Sequence, residues 1–239
     1  MPAVFEAALA KAVAIPSSTI HQHVERVRLR NPGADPQQVV RILEKEYLRV
    51  VQTSGGAVGA AAAAPAVGTG TALALTAADV ATFFAASAGF SLAVASVHGI
   101  DVEDSERRIA LLLATLLGES GAKAVGDTAG ISSVRVGRTL LTRMPLGTVR
   151  AVNSQLTKRI AKKQMVRQSG LALGRLVPFG IGIAIGVAGG RALGSGVVAG
   201  ARAAFGPAPA TWPHVLTLPS TAVDELPGSA GSLPAPDAT

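Results

Sequence analysis

Several short groupings in this chain carry residue types that can do chemistry. Each is weighed here against a plain structural role. His21 and His23 form a His-x-His pair. Zinc takes three or four ligands backed by hydrogen-bonded partners. Only Glu25 and the distant His98 and His214 are available to complete such a set, so the pair reads as surface histidines on a helix. Asp101, Glu103, Asp104 and Glu106 cluster in one stretch. A calcium loop needs a central glycine and a closing glutamate at about position twelve, and this spacing offers neither. Acids at a helix start simply favour its dipole. Gly68-Thr69-Gly70-Thr71 lacks the Gly-Lys-Ser/Thr ending of a phosphate loop and no strand precedes it, so it reads as a breaking turn. Gly118-Glu119-Ser120-Gly121 lacks the glycine spacing of a nucleophile elbow and follows a helix, so it reads as a glycine C-cap. Asp79 is different. A lone carboxylate between two apolar runs is a polar site by default in lipid, and is otherwise the polar cap of the second helix. No catalytic residue is assigned, and no metal or cofactor is expected.

The composition explains why chemistry is sparse. Apolar residues make up 49% of the 239, but aromatic residues only 3%, and there are 27 glycines. Cores of water-soluble domains lean on large side chains, whose burial stabilises by roughly 1.5–3 kcal/mol each. Alanine and glycine contribute far less and need close backbone approach, as in helix pairs packed in lipid. There are no cysteines, which excludes disulfides, thiolate metal sites and a cysteine nucleophile. Met1 to Ile15 carries Glu6 and Lys11 and lacks the order of a signal peptide, so a protein kept on the cytoplasmic side is expected.

The elements that must position these residues follow from periodicity. Residues 1–52 read as a helical lead-in. Ala3 to Ile15 is a short helix stopped by Pro16, and Thr19 to Arg30 is a second, stopped by Asn31-Pro32-Gly33. Asp35-Pro36 is a start signal, followed by Val39, Val40, Leu43, Tyr47 and Val50 at helical spacing. Residues 53–205 read as the main helical domain, with apolar hairpins over 53–100 and 170–202 and a basic central segment over 101–169. Val50 to Ala78 and Val80 to Val97 are free of charge, with Asp79 between. About 20 apolar helical residues cross a bilayer. The first run is broken by Pro65 and Gly68-Thr69-Gly70, so a hairpin that enters the bilayer without a clean double crossing is expected. Asp104-Ser105 caps a helix through Arg107 to Leu117, and Thr148 to Gln168 forms another. In the last apolar zone Gly182, Gly186, Gly190 and Gly194 recur every four residues and make a flat face for helix packing. Residues 206–239 are rich in Pro, Ala, Ser and Gly and read as a disordered tail.

The charge is distributed unevenly. Between Asp127 and Asp224 there is no acid, yet the interval holds twelve Lys and Arg. Such a stretch must meet water or an anionic partner. Arg150, Lys158, Arg159, Lys162, Lys163, Arg167 and Arg175 lead directly into the glycine-spaced apolar zone, and the basic segment has no aromatic residue for base stacking. Anionic membrane lipid is therefore the expected partner rather than nucleic acid, with juxtamembrane cations attracted by about 1 kcal/mol each. Residues 101–175 carry thirteen basic residues and 1–49 carry seven, which places both on the cytoplasmic side of the cell membrane.

The run Pro65 to Asp79, the stretch His98 to Asp104 with Arg107-Arg108, Leu117 to Gly121 and Gly174 to Gly182 resemble, in that order, the EcsC family of bacterial proteins. The resemblance covers roughly residues 50–207. It implies a helical, membrane-associated protein without an established biochemical role, one member of the family being encoded beside an ABC transporter. It carries over no catalytic residue. The expected fold is thus an all-α, membrane-associated helical bundle acting by binding lipid, a membrane protein complex, or a second copy through its glycine face, with a possible link to transport or export. The alternatives are a peptidase-like membrane-surface hydrolase using Asp79 or Ser120, and a soluble helical interaction protein.

Overall fold

The computed structural model describes residues 3–62, 69–130, 136–171 and 181–213. These form nine helices and no strand: α1 (Ala3–Val13), α2 (Ser17–Arg30), α3 (Pro36–Ala62), α4 (Thr69–Val97), α5 (Ser105–Leu116), α6 (Glu119–Ala129), α7 (Val136–Thr142), α8 (Leu146–Leu171) and α9 (Ile181–Phe205). The all-α class is as expected.

Side chains and glycines set most helix ends. Gln38 N–H donates to Asp35 Oδ1 at 2.7 Å, and Asp35 N–H donates to Gln38 Oε1 at 3.1 Å. This reciprocal capping box satisfies two donors at the start of α3. Arg107 N–H donates to Asp104 Oδ1 at 2.9 Å, so Asp104 caps α5. Glu106 lies in the first turn of α5, where an acid favours the dipole. Gly118 (φ 68°) turns the chain from α5 into α6, and Gly130 (φ 67°) closes α6 in the left-handed conformation.

α3 runs without interruption through the expected boundary at residues 52–53 and through Gly55-Gly56. Val39, Leu43, Tyr47 and Val51 on α3 share one buried cluster with Val24 and Val27 on α2, Phe90, Val94 and Val97 on α4, and Val197, Val198 and Phe205 on α9. The lead-in and the main segment therefore pack as one unit. Asp79 lies in the middle of α4, not at its start, which removes the capping role expected for it. The helix begins at Thr69, so Gly70 does not break it; Pro65 lies outside the described residues. A second cluster joins Leu113 of α5, Val125 of α6, Leu140 of α7 and Val149, Val152 and Leu156 of α8. In a third, Ala8 and Ala12 of α1 meet Phe84 and Ala88 of α4.

α9 lies antiparallel against α3. Glu44 pairs with Arg202, Val51 abuts Gly190, and Gly56 abuts Val187. A Cβ on Gly190 would strike the Val51 carbonyl oxygen, and one on Gly194 would come within 2.8 Å of Val51 Cγ2. These two glycines thus spend their flat face inside the molecule. Gly182 and Gly186 lie in the first turns of α9, before the part of that helix whose surroundings are described. On another face of α9, a Cβ on Gly200 would lie 2.5 Å from the Thr115 carbonyl of α5. α7 meets α9 the same way, a Cβ on Gly137 falling 2.9 Å from the Ala204 carbonyl.

One expectation needs correction. Residues 206–213, read as the start of the tail, are ordered and fold back over the helix ends. Trp212 packs on the first cluster, and the Arg28 guanidinium sits 4.1 Å from its ring centroid. The apolar surface of a single Trp and a cation over its face offset the ordering of this segment. The rest of the expected tail, 214–239, lies outside the described residues.

The glycine contacts make a paired prediction. Gly200→Ala forces the α5 backbone away and should destabilise by about 1–3 kcal/mol. A Cβ on Gly196, one turn earlier, meets nothing within 4 Å. Gly196→Ala should therefore stabilise by up to about 1 kcal/mol through helix propensity. Urea midpoints of the two variants against the parent chain check the opposite signs.

Candidate functional site

The antiparallel registers place three charge-free helix segments at one end of the bundle. Ser54 Oγ of α3 donates to Asp79 Oδ1 of α4 at 2.5 Å, and Tyr47 Oη meets Ser87 Oγ at 2.9 Å. α3 thus climbs as α4 descends. Beyond these contacts α3 continues to Ala62 and α4 starts at Thr69, while Gly56 against Val187 brings the first turns of α9 to the same end. From Val51 to Ala62, from Thr69 to Ala78, and from Ile181 to Gly190 no residue is charged. At 1.5 Å per residue each segment is about 15–18 Å long. Ala57, Ala60, Ala74, Val187 and Ala188 in this apolar end are exposed.

Charged residues ring its base. Arg49 and Arg191 are exposed and lie within a turn of the Val51–Gly190 contact on their helices. Asp79 sits at the same base, held by Ser54. The speculative polar site is therefore a rim carboxylate with a hydroxyl partner. Among the described residues no His or Lys makes a hydrogen bond or ion pair with Asp79. Ser120 Oγ donates to the Leu117 carbonyl at 2.8 Å, a local helix-start bond.

α8 separates its faces as its sequence indicated. Val149, Val152, Leu156 and Ile160 are buried, while Arg150, Lys158, Arg159 and Lys162 are exposed. Arg150, Lys158 and Lys162 fall at multiples of four and share a face. Arg150 has a loose partner in Glu106 at 3.9 Å, with Nε facing Oε1. Lys163 and Arg167 belong to α8, but their side chains are outside what is described, and Arg175 lies outside the described residues altogether.

Among the described residues, an acid from elsewhere also reaches Arg202. Arg202 of α9 donates to both carboxylate oxygens of buried Glu44, Nε to Oε1 at 2.7 Å and Nη2 to Oε2 at 2.5 Å. This bidentate pair is a strong form of ion pair. It removes Arg202 from the pool of free cations. No sequence signal linked these residues, which are 158 positions apart.

Arg108 was also missed. It is buried, and its guanidinium donates to the carbonyls of Val102 (2.6 Å), Val13 (2.9 Å) and Ile15 and to Ser17 Oγ (2.6 Å). The charge meets the carbonyl end of α1, where the helix dipole is negative. One side chain so ties the α1–α2 corner to the loop before α5. Its neighbour Arg107 ties the same helix to α7, donating to the carbonyls of Leu140 (2.6 Å) and Met144 (2.8 Å).

The histidines separate into two kinds. His21 lies 3.8 Å from Asp101 and His23 lies 3.3 Å from Glu46, both on the surface. Among the described residues no group of three or more His, Asp and Glu is placed to hold a metal ion. His98 is buried at the end of α4. Nδ1 donates to the Val94 carbonyl at 2.8 Å, the ring lies 5.1 Å from Phe205, and Nε2 has no partner. Burial holds its pKa below the usual imidazole value, against the pull of the Val94 and Pro207 carbonyls, and the charge on Arg138 adds to the lowering.

Tyr47 offers a direct check on this core. Burial pushes its phenol up to about 12, with the Ser87 hydrogen bond opposing the shift. It is the only tyrosine in the chain. The native phenolate absorbance should therefore rise with a midpoint near 12, against about 10 for the unfolded chain. Because the folded state holds this proton longer, stability should fall as pH rises from 10 toward 12. Spectrophotometric titration with and without denaturant checks both.

The segment Ala77–Val97 of α4 is long and apolar enough to cross a membrane, and 56% of its most apolar window is buried inside the bundle. Compared with protein-family models, with curated proteins and with solved structures, the chain matches none.

Proposed function

We propose that this protein binds the cytoplasmic face of the cell membrane and acts there by binding, with its apolar end inserted one leaflet deep. The observation that carries this is the convergence of the three charge-free segments of α3, α4 and α9 at one end, each about 15–18 Å long, with Arg49, Arg191 and Asp79 at their base. A bilayer core is about 30 Å thick, so the segments match one leaflet and fall short of both. Leaving Ala57, Ala60, Ala74 and Val187 in water brings no gain, whereas lipid removes that apolar surface from water.

Insertion at this depth differs from crossing. Among the described residues α4 alone is both long and apolar enough to cross, but it would have to leave its partners in the core. A helical hairpin pair that dips into one leaflet leaves them in place. The exposed cations of α8 (Arg150, Lys158, Arg159 and Lys162) then serve as contacts for anionic lipid, with Lys163, Arg167 and Arg175 as further members. The excess of basic residues flanking the apolar segments favours the cytoplasmic side. This reading is in keeping with the EcsC resemblance and with a role beside a membrane protein complex in transport or export.

Vesicle flotation with the full chain tests it. Binding to vesicles containing phosphatidylserine should survive about 1 M NaCl, which screens charge beyond roughly 3 Å. Complete release by salt alone would leave only surface attraction and overturn insertion. Ala74→Glu and Val187→Glu place a charge on exposed positions of the apolar end. Each should weaken binding at least tenfold, given about 2–4 kcal/mol for a charge taken into lipid. Replacing Lys158, Arg159 and Lys162 together by Gln should weaken binding to anionic vesicles roughly a hundredfold while changing little on neutral ones.

A further inference from the structure

Gly206 (φ 71°) turns the chain out of α9, its N–H donating to the Arg202 carbonyl at 2.9 Å. From there the segment Gly206–Pro213 returns across the helix ends as a strap, at the end of the bundle opposite the apolar segments. Two places hold it down. Trp212 packs on the first cluster beneath the Arg28 guanidinium, and Pro207 turns its carbonyl to His98. His98 is only 8% exposed, and its ring lies 5.1 Å from Phe205. Nδ1 donates to the Val94 carbonyl, so in the neutral ring Nε2 carries the lone pair. Nε2 is buried beneath the strap without a hydrogen bond.

The surroundings of this ring suit only its neutral form. The strap, Phe205 and Ile100 border a cleft whose ionisable groups are His98 and Arg138 of α7, and no carboxylate lines it. Arg138 donates to the His98 carbonyl at 3.0 Å and stays charged throughout. Around Trp212, on the other side of the strap, the titratable and charged groups are His21, Arg28 and Asp101. Asp101 lies 3.8 Å from His21, and Arg28 is held by Glu25 at 2.9 Å. A proton on His98 would put a second cation near Arg138, out of water, with no acid in the cleft to meet it. The Val94 and Pro207 carbonyls would accept from the imidazolium, but they offset only part of the cost of burial.

We propose that Gly206–Pro213 is a pH-sensitive strap, closed over neutral His98 and released when that ring takes up a proton. With the strap lifted, the ring meets water and titrates as an ordinary imidazole, near pH 6.5. With the strap closed, its pKa lies below that value, burial being the larger cause and Arg138 adding to it. The form that resists the proton is favoured above about pH 6.5 and loses ground below it. The closed-to-open ratio falls by up to about tenfold per pH unit, one proton being taken up per opening, until the closed ring also titrates. Release uncovers Trp212 together with Phe205 and Ile100, which the closed state keeps buried. The polar end of the bundle thereby gains an apolar surface in acid.

Acrylamide quenching of Trp212, the only tryptophan, tests this in the full chain between about pH 8 and pH 5. The quenching constant should rise at least about twofold below roughly pH 6.5, with an unchanged far-ultraviolet circular dichroism spectrum. His98→Phe puts an untitratable ring in the same place and should hold the constant low throughout. His21→Gln and His214→Gln remove the imidazoles nearest Trp212 in space and in sequence, and should keep the rise. Arg138→Gln, at an exposed position, removes the neighbouring cation and should blunt it. A constant that stays flat or falls toward acid in the parent chain would overturn the strap. So would a rise that persists in His98→Phe or disappears in His21→Gln. Should His98→Phe lose its helical spectrum, an undiminished rise in Arg138→Gln would overturn it equally. No vesicle enters the measurement, so its outcome is separate from that of membrane insertion.

Discussion

The structure depends on how closely α9 can approach its neighbours. α9 meets α3 through Gly190 and Gly194 and α5 through Gly200, and α7 meets it through Gly137. At Gly190, Gly200 and Gly137 the atom in the way of a Cβ is a backbone carbonyl oxygen, which no rotamer change can move. Each helical glycine gives up roughly 1 kcal/mol against alanine. Only the packing made possible by backbone contact offsets that. α9 is therefore a helix specified by its surroundings rather than by its propensity. Its position in turn fixes where both ends of α3 and α4 lie.

That constraint links two features that look separate along the chain. The charge-free stretch of α3 and α4 and the glycine-spaced stretch of α9 are more than a hundred residues apart, yet antiparallel packing superposes their apolar ends. The same packing carries Arg202 down to Glu44, two turns below, where a buried carboxylate and a cation meet in bidentate geometry. With the carboxylate buried and the guanidinium largely exposed, loss of Arg202 would leave the Glu44 charge unpaired, so the pair fixes register more than it adds strength. Charge at one level and its absence at the next give the molecule a polar body and an apolar end.

Much of the helical outline was legible in the sequence, because local signals set it. Asp35-Pro36 and Asp104 act as caps at the positions expected, and Val149, Val152, Leu156 and Ile160 form the inner face of α8. What was illegible was non-local. Asp79 looks like an interruption only when the chain is read alone; inside α4 a hydroxyl from α3 satisfies it. Gly56 sits inside α3, and Val187 packs where its side chain would have been. α7 is only seven residues long, too short to show a period of its own. Arg108 and His98 draw their partners largely from main-chain carbonyls, which leave no trace in residue types. The return of residues 206–213 was hidden by a composition that resembles a linker; one Trp against one Arg decides it.

The proposed depth of insertion follows from the same bonds. α4 is joined to its neighbours at three levels: Asp79 to Ser54, Ser87 to Tyr47, and Ser91 to Thr115 at 3.1 Å. The last two pairs are buried. Were α4 to cross a bilayer as a separate span, both would have to open; Ser87 would keep only its bond to the Phe83 carbonyl, and Ser91 would lose its Thr115 partner at about 1–3 kcal/mol. Phe84, Phe90, Leu92 and Val94 would gain little in return, since they are already out of water. The stretch of α4 before Asp79 carries no charge and is about 15 Å long. Lipid can take that stretch, with its counterparts on α3 and α9, without disturbing a single buried polar contact described in the bundle. In the proposed membrane-bound state the polar layers of α4 set a floor to insertion, and Asp79 marks where it lies.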